Sequence, residues 1–101
     1  MILARVAGTV VATRKDEKLE GFKLLVVRPV TPDGRETDGY LVAVDTVDAG
    51  PGELVLVVSG SSARMVSGCA ERPVDAAIAA IVAEVDLVRA EQPRGRQKGG
   101  A

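Results

Sequence analysis

Seventeen of the 101 residues are valine, and they fall in short runs bounded by glycine, proline and charge. β-branching stiffens χ1 and suits a pleated backbone, so this distribution points to strands. The runs are strand-sized. None approaches the ~20 consecutive apolar residues of a membrane-spanning helix. A chain of this length is expected to form one domain.

Residues 2–14 alternate, with Ile2, Ala4, Val6, Val10 and Ala12 on one face and Arg5, Thr9 and Thr13 on the other. Gly8 interrupts the run where a bulge or bend is expected. A second strand is expected over 22–30, apolar on both faces in its middle and ending near Pro29. Thr31-Pro32-Asp33-Gly34 has the composition of a turn. A third strand over 39–46 ends near Asp45, and the glycine-rich stretch 47–52 leads to a fourth over 53–59. Ser61 or Ser62 is expected to cap a short helix beginning near residue 60. Residues 74–88 fit two periods. Val74, Ala77, Ile78 and Ile81 recur at helical spacing, whereas Ile81, Ala83, Val85 and Leu87 alternate. The reading adopted is a short helix over 74–79 and a fifth strand over 80–88. The fold class is therefore mostly β: a small, partly open, five-stranded, OB-like barrel over 1–88. Residues 89–101 read as a flexible tail.

Lys and Arg number 13, Asp and Glu 14, and His is absent. The tail holds four cations against one carboxylate, a net of +3, which leaves −4 on the rest. An acidic body with only Phe22 and Tyr40 as rings lacks the positive groove and stacking platforms of a single-strand nucleic-acid binder. That function, suggested by the OB-like pattern, is the alternative the composition disfavours. Without His, the common neutral-pH base and metal ligand are missing, and one cysteine cannot build a zinc site. Cys69 has no His to activate it and reads as packed. A Ser61 or Ser62 pair with Lys15 lacks any diagnostic spacing. Asp45 and Asp48 flank a turn and suit bonds to its N–H groups better than a cation. No catalytic, metal or cofactor residue is assigned. The single cysteine fits a reducing cytoplasm.

Five motifs, in order, resemble one family. They are Gly-Thr-Val-Val-Ala-Thr-Arg-Lys at 8–15, Leu-Leu-Val-Val at 24–27, Val-Ala-Val-Asp-Thr-Val at 42–47 followed by Ala-Gly-Pro-Gly at 49–52, Gly-Ser-Ser-Ala-Arg at 60–64, and Arg-Pro-Val-Asp-Ala-Ala-Ile at 72–78 followed by Ile81-Val82. The chain resembles the EutN/CcmL family of microcompartment vertex proteins. Two positions depart from it: Asp48 stands where many members have Gly, and Ala83 where many have an acid.

The resemblance implies a barrel that assembles as a cyclic homopentamer. Such pentamers cap the corners of a cytoplasmic bacterial microcompartment, among hexagonal shell proteins, without nucleic-acid or membrane partners. It implies that Gly60, Ser61, Ser62, Ala63 and Arg64 lie near the five-fold axis and its pore. It also implies subunit contacts among Asp45, Ala49, Gly50, Val74, Asp75, Ile78, Ile81 and Val82.

Overall fold

Five strands close into a barrel in a computed structural model that describes residues 1–70 and 72–88. They are β1 (Ile2–Val10), β2 (Lys23–Pro29), β3 (Leu41–Asp45), β4 (Leu54–Ser59) and β5 (Ala76–Ile81), in the spatial order β1-β2-β3-β5-β4. Two 3₁₀ helices, η1 (Glu17–Leu19) and η2 (Gly60–Met65), sit in the connections. All pairings are antiparallel except β3–β5, a parallel seam of two residue pairs, Val44↔Ala77 and Asp45↔Ile78. Thr46 Oγ1 donates to the Ile78 carbonyl at 2.9 Å beside that seam. The expected partly open barrel is thus closed. The expected tail at 89–101 lies outside the described residues.

Alternation builds the interior. Ala4, Val6, Leu25, Val27, Ala43, Val55, Val57 and Ile78 point inward and are almost fully buried. All are aliphatic, and small side chains predominate because five strands enclose a narrow space. Deleting the interior part of Leu25 or Ile78 would leave a cavity that few neighbours are large enough to fill.

A second cluster covers the outer face of β2, β3 and β5. Val44, Ala63, Cys69, Val74 and Ala77 are buried there, with Leu19, Phe22, Leu24 and Val66 packed against them. Arg72 fastens it. Its guanidinium lies 5.0 Å from the Phe22 ring centroid, and Nη1 donates to the Lys18 carbonyl at 2.7 Å. The cluster explains why β2 reads as apolar on both faces.

Several expectations are corrected. The ladder shifts register between Val6 and Gly8, so Val10 pairs with Leu24 on the outer side and no longer shares a face with Val6. β1 ends at Val10, and Val11 is exposed. No helix forms over 74–79. β5 begins at Ala76 and ends at Ile81, short of 88. Ala76 and Ile78 enter the barrel core while Ala77 enters the outer cluster, and burial on both faces erases the alternation that marks a strand. Ser59, rather than Ser61 or Ser62, occupies the cap position of η2, and its side chain makes no capping bond.

Candidate functional site

η2 follows β4 without a spacer. Gly60 turns the chain at φ 70, a conformation that costs glycine little, and its N–H donates to the Asp75 carbonyl at 2.7 Å. Ala63 is fully buried and anchors η2 to the outer cluster. That anchor leaves Ser61, Ser62, Arg64 and Met65 facing out. Ala63 therefore belongs to the subunit's own core.

The turn after β3 is organised by a carboxylate. The Asp45 side chain is 0% exposed, and its oxygens accept from Val47 N at 3.1 Å and Ala49 N at 2.9 Å. Lys23 Nζ lies 3.6 Å from Asp45 Oδ2 and 3.5 Å from Asp48 Oδ1. An ammonium thus fills the place a bound cation would take. Among the described residues no group of three or more acidic, Cys or His side chains is placed to hold a metal. Asp48 adopts φ 60, the left-handed region that glycine favours and Asp tolerates better than most residues. Its departure from Gly therefore keeps the turn.

The expected contact residues divide in two. Asp45, Ala49, Val74 and Ile78 are buried within the subunit, and Val74 also lines a surface groove. Gly50, Asp75, Ile81 and Val82 reach the surface. Lys15 Nζ donates to the Phe22 carbonyl at 3.1 Å, which ties it into its own loop. Burial raises the Cys69 thiol above its ordinary pKa, and nearby Arg72 opposes this only in part, so the thiol is packed and held protonated.

Two outward apolar walls were not singled out from the sequence. Leu3, Leu56 and Ala80 stand in one row across β1, β4 and β5, all half-buried. Val26 and Val42 are paired across β2 and β3, on the other side of the barrel, with Val42 42% exposed. β4, apolar on both faces, carried the signal for the first wall. Two different apolar walls on one small barrel are the surface a self-associating shell subunit would bury.

The comparisons name the family. A profile described as "Ethanolamine utilisation protein EutN/carboxysome" matches residues 1–83. The chain belongs to the EutN/CcmL family. It is 48% identical over 87 residues to the carboxysome shell vertex protein CcmL of Synechococcus elongatus, covering 86% of this chain and 88% of that one. It is 51% identical over 86 residues to the microcompartment shell vertex protein PduN of Salmonella typhimurium, covering 81% and 94%. The solved structure of the pentameric shell protein GrpN from Rhodospirillum rubrum superposes with a TM-score of 0.80 at 46% identity, covering 87% of this chain and all of that one.

Proposed function

We propose that this chain forms a homopentamer that caps the vertices of a bacterial microcompartment in the cytoplasm, seated among hexagonal shell proteins. The observation that carries this reading is the match to pentameric GrpN over that protein's whole length. The physical requirement is curvature. Flat hexagonal tiles cannot close a surface, and five-fold units supply the corners. The two apolar walls supply the adhesive for a ring, because a contact between two different patches repeats around an axis until it closes.

The role is structural rather than catalytic. Ser61, Ser62 and Arg64 sit nearest the axis, where small side chains allow several copies to approach and five Arg64 side chains would attract anions. Gly50, Asp75, Ile81 and Val82 contribute to the joints between subunits. Nothing favours the oligonucleotide-binding alternative. Phe22, one of only two rings, lies under Arg72 and inside a packed cluster, so it is not free to stack on a base.

Native mass spectrometry of the purified protein is expected to give five copies per particle. Co-expression with hexagonal shell proteins is expected to give closed polyhedra by electron microscopy, and open tubes or sheets when this chain is omitted. A monomer at micromolar concentration would overturn the reading. Ser62→Trp is expected to leave the barrel's circular dichroism unchanged while reducing the pentamer fraction at least about tenfold, since an indole repeated five times cannot fit around an axis. A normal pentamer from this variant would remove Ser62 from the axis.

A further inference from the structure

Residues 83–88 leave the barrel without joining any strand, yet they are not composed like a solvated linker. Val85 and Leu87 alternate with Glu84 and Asp86, and Val85, Leu87 and Val88 are all exposed, Val88 at 80%. Alternation over such a stretch is the pattern of an extended segment with one face covered. Among the described residues of the same subunit nothing covers it.

The same subunit carries an unfilled groove of about 210 Å³ on its β2–β3 side. Leu19, Leu24, Val42, Val44, Pro73 and Val74 line it, and Asp75 is the one charged residue of the lining among the described residues. Cations stand beside this lining. Lys18 adjoins Leu19 and Arg72 adjoins Pro73, and the Arg72 bond to the Lys18 carbonyl holds the two positions together.

We infer that residues 83–88 of one subunit lie in this groove on the next subunit around the ring. The inference rests on the pentameric reading and adds to it a donor segment and an acceptor site. Val85 and Leu87 enter the groove, and Glu84 and Asp86 face outward toward the Lys18 and Arg72 side. Chain geometry excludes the subunit's own groove. Ala76, at the start of β5, lines the groove, whereas the segment departs beyond Ile81 at the other end. Returning along β5 would take roughly 17 Å at a strand's rise, and six residues span at most roughly 20 Å, so nothing would remain to fill the groove. The departure point also suits a neighbour. Val82 N–H donates to the Leu54 carbonyl at 2.8 Å, so the segment continues directly from the β4 wall. In a head-to-tail ring that wall meets the β2–β3 wall of the next copy, where the groove lies.

Cysteine pairing tests this in the full chain. Leu87→Cys is combined in turn with Val42→Cys and with Leu19→Cys, with each single variant as a control. The native Cys69 is buried and stays silent. Mild oxidation is expected to give a reducible ladder from two to five linked chains on a denaturing gel for at least one pair, and none for the single variants. Loss of both thiols without a ladder would place the segment on its own subunit and overturn the inference. So would free thiols in both pairs while native mass spectrometry still shows five copies, a result that leaves the pentamer standing. If the parent protein does not assemble, the vertex reading falls and this inference with it. In parallel, the Val85→Asp, Leu87→Asp double variant is expected to dissociate at a concentration at least about tenfold higher than the parent. Unchanged dissociation would overturn the docking.

Discussion

Asp45→Ala is expected to lower the unfolding free energy by about 3–5 kcal/mol, measured by urea denaturation at fixed protein concentration. The carboxylate is fully shielded and does three things at once. It accepts from Val47 N and Ala49 N, and it faces the Lys23 ammonium. Alanine removes every acceptor together. The N–H of Ala49, a fully buried residue, then has no partner and no water, at about 1–3 kcal/mol. Lys23 is 45% exposed and recovers part of its solvation, so its share of the loss is the smaller one. Asp45→Asn separates these effects. It keeps one acceptor but turns an amide N–H₂ toward either Val47 N or Ala49 N, and about half the loss is expected. Against a total of roughly 5–15 kcal/mol, the alanine variant approaches the limit of folding. A loss below 1 kcal/mol would show that the turn finds its hydrogen bonds elsewhere.

This turn also shows what the sequence made legible. Asp45, Asp48 and the glycines beyond them mark a turn by chemistry that acts within a few residues, and the structure uses Asp45 in that way. β2, β3 and β4 were legible because short runs rich in Val and Leu, bounded by Gly, Pro or charge, leave few other folds. β5 was not. Its Ala-Ala-Ile core is buried on both faces, and only a partner strand brought from elsewhere tells it from a helix. The outer cluster was equally hidden. Phe22 and Arg72 are fifty residues apart, and no local pattern signals their contact. For the candidate site, apolar character alone does not distinguish a subunit's own interior from its neighbour's surface. Ala49 and Ile78, which the resemblance placed among the contacts, are buried in the subunit, while Leu56 and Val42, which reach outward, were not singled out.

Leu56→Glu and Val42→Glu are each expected to abolish the pentamer while leaving the barrel folded, and an equimolar mixture of the two is expected to form heterodimers and nothing larger. Both side chains point away from the interior, so a carboxylate at either position stays hydrated in the isolated subunit. Between subunits it replaces apolar burial worth about 1.5–3 kcal/mol at every joint with a desolvated charge. A ring of five has five such joints, so the loss is repeated and the drop in assembly exceeds about a hundredfold. The mixture tests the handedness of the contact. In a head-to-tail ring the Leu56 variant keeps its β2–β3 wall and the Val42 variant keeps its β4 wall. One intact joint can form between them, and the two altered walls left outside carry like charge and repel, so growth stops at two. A self-complementary contact would behave differently, because each variant would keep or lose its own dimer and mixing would change nothing. A single joint lacks ring closure, so the heterodimer is sought by sedimentation at about 100 µM. A pentamer from either variant alone, or an assembly above two copies from the mixture, would mean that these walls are not the joints.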